Sequence, residues 1–313
     1  MFSLAKTIAA LGAASFMTLA AANAQEGPTL QKIKNAGAIT IGYRDAATPF
    51  SYVAADQRPA GFSLDLCGLV ADRVKETLSL AELKIDYKLV AAQDEAALLK
   101  DGAIDIECGA ASKTKGVTRD AAVSIPIYLS ELRWLVPKQL RIETEGSRRR
   151  RHEVRTPASI DDLKGKAVAL TEGSAATPIV LRLSIERYLG LSIVTAKNPA
   201  EAFRLVETGK ASAYIDDDAL LLGLKAGARN PDAFAFLDGA LPSATYALLV
   251  AKDDQPFKAL VDGVLADAMK SGEYEKLYVK WFESPIPPRG VNLAYPMPAR
   301  LKEFIKDPAA NSN

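Results

Sequence analysis

Histidine and cysteine are almost absent from this sequence of 313 residues, which has one histidine, His152, and two cysteines, Cys67 and Cys108. Catalytic sites that pair serine or cysteine with histidine, and metal sites built on several histidines, are therefore removed from consideration. Two cysteines far apart in the chain also make no zinc site. The sequence accordingly predicts no metal, no cofactor and no catalytic residue.

Net charge and long apolar runs are also missing. The 39 basic residues nearly balance the 38 acidic ones, and the formal charge of +1 argues against a nucleic-acid partner. Beyond the N-terminal segment no stretch reaches about 18 consecutive apolar residues, so no membrane span is predicted there.

Residues 1–24 have the pattern of a secretory signal peptide, in which a lysine precedes an apolar run that ends in a small-x-small motif. We therefore predict cleavage after Ala24 and export to a bacterial periplasm. In that compartment Cys67 and Cys108 could form a disulfide, and two buried free thiols are the alternative.

A strand, a polar turn and a helix are predicted over residues 39–74. Residues 39–41 are an alternating β-branched run that predicts a strand, and Asp65 stands where a helix cap is expected. Arg44 follows the carboxyl end of this strand, where ligands of open α/β sheets bind. Its planar guanidinium suits a carboxylate. The alternative is a surface arginine in a solvated loop.

A second unit begins with a predicted strand at residues 166–170. Small residues, including Ser174 and Ala175, then lead to a helical pattern over residues 179–188. Free backbone N–H groups at such a helix start favour an anion. An ordinary strand-to-helix turn is the alternative, because the spacing is not that of a phosphate-binding loop.

Three consecutive carboxylates, Asp216, Asp217 and Asp218, follow a predicted strand at residues 213–215. Carboxylates at a strand end can bind an ammonium group or a divalent cation. The sequence has no other acidic cluster at metal-binding spacing, so the ammonium group is the favoured ligand.

The order of the predicted elements indicates two α/β lobes that are joined by two crossing strands, at residues 132–136 and 245–251. The predicted division is 25–134 plus 249–290 for lobe 1 and 135–248 for lobe 2. A basic loop is expected at 139–157, inside lobe 2, and a C-terminal tail at 291–313. Such an arrangement is typical of a hinged clamp that closes on a ligand.

Several motifs, in this order, are similar to those of periplasmic solute-binding proteins of polar-amino-acid ABC transporters. The motifs are Gly42-Tyr43-Arg44, Gly61-Phe62-Ser63-Leu64-Asp65, residues 102–109, residues 162–166, residues 202–209, Asp217-Asp218-Ala219-Leu220-Leu221 and residues 281–288. The chain most resembles the glutamate/aspartate-binding branch. This resemblance implies a type II periplasmic-binding-protein fold with two hinge strands, and a monomer that delivers one amino acid to an inner-membrane permease.

The same resemblance implies the ligand contacts. The corresponding positions are Arg44, Phe50, Glu95, Ala110, Ser112, Arg119, Ser174, Ala175 and Asp217. The guanidinium at position 44 would reach a ligand carboxylate, and Asp217 would bind the α-ammonium group. The helix start at Ser174 and Ala175 would bind the α-carboxylate. Position 112 would offer a hydroxyl, position 110 only its backbone, and position 50 an apolar wall.

The departures from this branch concern the second carboxylate of an acidic ligand. The branch has an asparagine-arginine pair where this chain has Asp94 and Glu95, and Val117 stands where a further ligand arginine usually lies. Arg119 comes two residues later and could still reach the ligand. A glutamate in place of an arginine would repel an acidic side chain. We therefore predict a neutral polar or cationic amino acid rather than glutamate or aspartate.

Two other functions remain as alternatives. Some proteins of this fold are periplasmic dehydratases that act on prephenate-like or arogenate-like acids, and Glu95, Glu172 or Asp217 could supply a general acid. A receptor that signals without transport is the second alternative.

Overall fold

The computed structural model describes residues 27–54, 57–144, 151–237 and 243–308. The predicted signal peptide at 1–24 lies outside these residues. The helices are α1 (Pro28–Ala36), α2 (Phe62–Thr77), α3 (Glu95–Lys100), α4 (Lys115–Asp120), α5 (Ala176–Glu186), α6 (Pro199–Glu207), α7 (Asp218–Gly227), α8 (Gln255–Ser271), α9 (Glu273–Tyr278) and α10 (Ala299–Phe304). Within the described ranges, no helix is long and apolar enough to span a membrane.

The strands are mostly short. They are β1 (Ala38–Tyr43), β2 (Ala46–Ala47), β3 (Ser51–Val53), β4 (Pro59–Ala60), β5 (Lys84–Leu89), β6 (Ile106–Ser112), β7 (Ala122–Val123), β8 (Tyr128–Pro137), β9 (Leu140–Thr144), β10 (Arg151–Arg155), β11 (Ala167–Thr171), β12 (Ser192–Ala196), β13 (Ala213–Asp217), β14 (Phe234–Phe236), β15 (Ser243–Val250), β16 (Pro285–Ile286) and β17 (Val291–Asn292).

One sheet runs through the described part of the chain, in the order β12-β11-β13-β8-β15-β6-β1-β5, with β14 beside β8 and β7 beside β15. It contains two parallel groups. β1 pairs in parallel with β5 and β6, and β11 pairs in parallel with β12 and β13. β8 and β15 lie between the groups and are antiparallel to each other and to their outer neighbours. The predicted alternation of strands and helices, with two crossing strands, is thus confirmed.

The first parallel group has a core rich in aromatic rings. Phe50, Phe62, Tyr128, Tyr246 and Phe282 are almost fully buried, and their contacting ring centroids lie between 4.9 and 6.2 Å apart. Aromatic pairs at these distances add to the free energy gained from burial alone. Because β8 and β15 each contribute a tyrosine, this core fixes one end of both crossing strands.

The second parallel group has apolar side chains on both faces of its sheet, as expected for strands covered by helices on either side. Val168 and Leu170 of β11 pack on one face with Val180 of α5. On the other face Tyr214 of β13 packs with Phe203 of α6. The strand residues therefore alternate between two separate clusters, and the carboxyl ends of β11 and β13 lie side by side.

Cys67 of α2 and Cys108 of β6 form a disulfide across 41 positions of the chain. Both residues are fully buried. The bond therefore attaches α2 to the strand that ends at Ser112, inside the first core.

Three local features differ from the predictions. α2 begins at Phe62, so Asp65 lies in its first turn, where its carboxylate accepts a hydrogen bond from Trp281 Nε1 at 2.6 Å. Part of the predicted basic loop is the antiparallel pair β9–β10, and in β9 the apolar Leu140 and Ile142 alternate with charged residues. The segment predicted as a tail packs into the first core through Leu301 and Phe304 of α10.

Candidate functional site

A cavity of about 430 Å³ lies where the carboxyl ends of β6, β11 and β13 meet the crossing strands β8 and β15. Its lining residues are Ser112, Lys113, Thr114, Leu132, Thr171, Glu172, Gly173, Ser174, Ala175, Ala176, Ile179, Pro199, Asp216, Asp217, Leu220, Ala244 and Tyr246. The cavity thus occupies the position at which open α/β sheets bind ligands. A larger cavity of about 600 Å³ is lined by residues of α8, α9 and α10, away from these strand ends.

Asp217 is the last residue of β13, and only 7% of its surface is exposed. Its carboxylate accepts a hydrogen bond from the hydroxyl of Tyr246 on β15. Burial, together with the neighbouring charge of Asp216, raises the pKa of Asp217 to about 7. A buried carboxylate of this kind is stabilised by a cationic partner.

Asp216 lies beside Asp217 and also lines the cavity. Its carboxylate accepts hydrogen bonds from the hydroxyl of Tyr214 and from the backbone N–H of Asp217, the latter at 2.9 Å. The Tyr214 hydroxyl also lies 3.0 Å from Thr171 Oγ1. Burial raises the pKa of the Asp216 carboxyl. These contacts hold the Asp216 side chain in one orientation at the cavity wall.

The opposite charge preference is found at the start of α5. Ser174, Ala175 and Ala176 line the cavity at the point where this 11-residue helix begins. The backbone N–H of Ala176 donates to Ser174 Oγ at 3.2 Å. Ser112 and Lys113, at the end of β6, line the same cavity. A helix start, two hydroxyls and a lysine make this part of the cavity suitable for an anion.

Arg44 belongs to a separate buried cluster beside the end of β1. Its Nη2 donates to Glu95 Oε1 at 2.6 Å, and its Nε lies 3.9 Å from Glu107 Oε1. Burial raises the pKa of Glu95, and burial together with the charge of Glu95 raises the pKa of Glu107 to about 8. Arg44 and Glu95, both predicted as ligand contacts, therefore contact each other and lie outside the cavity lining.

Three further predicted contacts lie elsewhere. Arg119 is exposed on α4, where its guanidinium makes two hydrogen bonds with the adjacent Asp120. Phe50 is fully buried, with its ring centroid 4.9 Å from that of Tyr246, so it packs behind the cavity wall. Ala110 lies in β6, and its side chain falls outside the described part of the chain.

The structure brings together four of the predicted contacts in the cavity, namely Ser112, Ser174, Ala175 and Asp217. It adds Tyr246, which sequence reasoning assigned only to a strand. The sequence predicted the strand β15, but not which of its faces meets the cavity. In the described ranges, no group of three or more histidine, cysteine, aspartate or glutamate side chains could hold a metal ion.

A family model for bacterial extracellular solute-binding proteins, family 3, matches residues 39–284, which is most of the chain. The chain belongs to this family. The L-glutamate/L-aspartate-binding protein of Pseudomonas aeruginosa is 38% identical to this solute-binding protein over 283 residues, covering 90% of this chain and 88% of the relative. The glutamate/aspartate import solute-binding protein of Escherichia coli is 32% identical over 282 residues, with the same coverage of both chains.

Two solved structures with the same fold are more distant in sequence than these two relatives. A cysteine-binding protein from Campylobacter jejuni is 22% identical with a TM-score of 0.61, and the match covers 81% of this chain and 92% of the other. An ancestral amino acid-binding protein, described as a precursor of cyclohexadienyl dehydratase, is 23% identical with a TM-score of 0.60 and coverages of 81% and 98%. The predicted type II periplasmic-binding-protein fold of this solute-binding protein is confirmed.

Proposed function

We propose that this solute-binding protein captures one amino acid in the cavity between its two parallel strand groups and delivers it to an ABC importer. The observation that carries the proposal is the opposition of charges within one cavity. The carboxylate of Asp217 and the start of α5, with Ser174, line the same cavity. An α-ammonium group and an α-carboxylate need such an arrangement.

In this proposal the α-ammonium group binds Asp217, whose carboxylate is oriented by the Tyr246 hydroxyl. The α-carboxylate binds the start of α5 through the hydroxyl of Ser174 and the backbone N–H of Ala175, since the N–H groups of Ala176 and Thr177 already donate to Ser174. Ser112 supplies a further hydrogen bond from the end of β6. Charge-assisted hydrogen bonds of this kind are about twice as strong as neutral ones.

The ligand is proposed to be other than glutamate or aspartate, although two relatives are named for those amino acids. An acidic side chain requires a second cation. Arg44 is already bound by Glu95 at 2.6 Å, and Arg119 by Asp120. Neither guanidinium lines the cavity. These contacts support the expectation, drawn from the sequence, of a neutral polar or cationic ligand.

Residues 25–134 with 249–290, and residues 135–248, are proposed to be the two lobes that close on the ligand. Closure would be a rotation about β8 and β15, the two strands that cross between the groups. We further propose that the N-terminal 24 residues are removed on export to the periplasm, and that the monomer docks on an inner-membrane permease.

A thermal-shift screen of the purified protein against the common amino acids tests the proposal. A ligand that binds only the folded state at about 100 times its Kd adds about 2.7 kcal/mol to the free energy of unfolding. One or a few amino acids should therefore raise the Tm by several degrees. The absence of a shift with every amino acid would contradict the proposal.

Catalysis on this fold is the second candidate, favoured by one observation. The pKa of Asp217, at about 7, would allow general acid chemistry near neutral pH. We propose that Asp217 is a ligand anchor instead, because the opposed charges of the cavity already account for it. Incubation with prephenate or arogenate, followed by absorbance of the aromatic product, should show no turnover above that of an Asp217→Asn variant.

A further inference from the structure

The cavity carries more negative charge than a neutral amino acid needs. Among its described lining residues, Glu172, Asp216 and Asp217 are acidic, whereas Lys113 is basic. The zwitterionic part of an amino acid brings one positive and one negative charge. Asp217 and the start of α5 are sufficient for these two, so Asp216 and Glu172 remain for another group.

Asp216 is the better placed of these two carboxylates. Glu172 is exposed, whereas Asp216 is partly buried and held by Tyr214 and by the Asp217 backbone N–H. The side-chain partners described for Asp216 and Asp217 are hydroxyl groups of tyrosine, threonine and serine rather than cations. A carboxylate that leaves water gains most from a charged partner, which a ligand can supply.

The buried arginine of the first parallel group does not balance this charge. Arg44 is engaged by Glu95 and lies near Glu107, so one cation is shared by two carboxylates outside the cavity. The volume of the cavity, about 430 Å³, lies within the range of about 300–1,000 Å³ that is typical of small-molecule sites. There is accordingly room for a long side chain beyond the zwitterionic part of the ligand.

We infer that the ligand is an amino acid with a cationic side chain, and that Asp216 is the residue that selects for the cation. This inference rests on the proposed function, because it places the α-ammonium group at Asp217. The side-chain ammonium or guanidinium group would reach Asp216 and its Tyr214 partner, with Glu172 adding negative potential at the cavity rim.

Isothermal titration calorimetry with pairs of ligands that differ in side-chain charge tests this inference. Arginine is compared with citrulline, its neutral isostere, and lysine with norleucine. At least one basic member should bind about tenfold or more tightly than its neutral counterpart, since a charge-assisted hydrogen bond contributes about 1.5–3 kcal/mol.

Variants then test whether Asp216 is the residue that selects for a cationic side chain. Asp216→Asn preserves the size of the side chain and an oxygen that accepts from Tyr214, so circular dichroism should report an unchanged fold. It should weaken binding of the basic ligand by about ten- to hundredfold and leave binding of its neutral counterpart within a few fold. Asp253→Asn is the matched control, because Asp253 is exposed and lies outside the cavity lining. It should change neither affinity.

The outcomes separate the inference from the proposed function. Tight binding of a neutral or an acidic amino acid, with basic ones excluded, would overturn the inference and leave amino-acid capture intact. An equal loss for charged and neutral ligands in Asp216→Asn would also overturn it, because the residue would then have no selective role. Failure of every amino acid to bind would instead contradict the proposed function itself.

Discussion

Arg44 and Glu95 form a partly buried ion pair, with 2.6 Å between Nη2 and Oε1, and Glu107 Oε1 lies 3.9 Å from Nε of the same guanidinium. Two carboxylates thus share one cation. This cluster joins the end of β1 and the start of β6 to the start of α3, directly beside the disulfide at Cys108. The charges of this cluster affect the free energy of unfolding and the dependence of that free energy on pH.

Replacement of Arg44 by an uncharged residue should lower the stability of the protein. Arg44→Met leaves the buried Glu95 carboxylate without its cationic partner and should lower the free energy of unfolding by about 3–5 kcal/mol. Chemical denaturation would measure the loss. Arg73→Met is the matched control, because Arg73 pairs with Asp267 at the surface and should contribute no more than about 1 kcal/mol. Equal losses in the two variants would contradict a buried ion-pair role for Arg44.

Stability should fall as the pH rises through the neutral range. Unfolding returns Glu107 to its ordinary pKa of 4.5, whereas the folded protein keeps its proton up to about pH 8. Between these values the folded state binds more protons, so the free energy of unfolding decreases with pH.

A pH series of denaturant titrations measures this slope, with each unit of pKa difference contributing about 1.4 kcal/mol. Glu107→Gln removes the titrating group and should flatten the profile over the same range. A profile that rises with pH in the parent protein, or an unchanged slope in the variant, would show that Glu107 is ionised when folded.

Loss of the disulfide should destabilise the chain without changing its fold. The bond closes a loop of 41 positions, and the chain-entropy relation assigns such a loop about 4 kcal/mol. The double substitution Cys67→Ala and Cys108→Ala should lower the free energy of unfolding by an amount of this order. The parent protein with added reductant provides the comparison, since reduction should have no effect on the double variant.

The hydroxyl of Tyr246 should contribute to ligand affinity. Its hydrogen bond lowers the pKa of Asp217, so Tyr246→Phe should raise that pKa above about 7 and weaken amino-acid binding by about tenfold. Calorimetry across a pH series should show the affinity recovering as Asp217 ionises. Tyr188→Phe is the control, because Tyr188 is 85% exposed, and its binding curve should match that of the parent.

A close approach between α7 and the turn after β2 should depend on glycine. A Cβ atom on Gly223 would lie 2.6 Å from the carbonyl oxygen of Thr48, whereas Gly227, in the same helix, has open space. Gly223→Ala should therefore lower the free energy of unfolding by about 1–3 kcal/mol. Gly227→Ala should be neutral or stabilise by up to about 1 kcal/mol. If both changes stabilise, the two segments are not in contact in solution.

Much of the fold could be predicted because its strands and helices follow simple periodic patterns. The strands β1, β11 and β13 were predicted from short β-branched or apolar runs. The burial of the C-terminal segment was not predicted, because it does not follow a long regular element. Leu301 and Phe304 lie in a helix of one and a half turns after several prolines, yet they pack into the first core.

The candidate site could be predicted only where strand ends define it. Ser174 and Asp217 meet because the carboxyl ends of the parallel strands β11 and β13 share one edge. Ser112 meets them because β6 runs in the opposite direction and ends at the same crossing strands. The sequence alone could not predict which charged side chains pair with each other. Arg44 could reach either a ligand or Glu95, and the packing of α3 against β6 decides for Glu95. Arg119 has a carboxylate next to it in the sequence, and this neighbour was the signal that it would be engaged elsewhere.

The packing of the C-terminal segment shows that the folded protein extends beyond residue 284, where the match to the family model ends. Beyond that point the Tyr295 hydroxyl donates to Asp218 at 2.6 Å, and Asp218 in turn accepts from Ser130 of β8 at 2.7 Å. A fragment that ends at residue 284 would lose the hydrogen bond from Tyr295 to Asp218 and would expose the apolar surface that α10 covers. Recombinant versions for biosensors or crystallography therefore need to extend to at least residue 308.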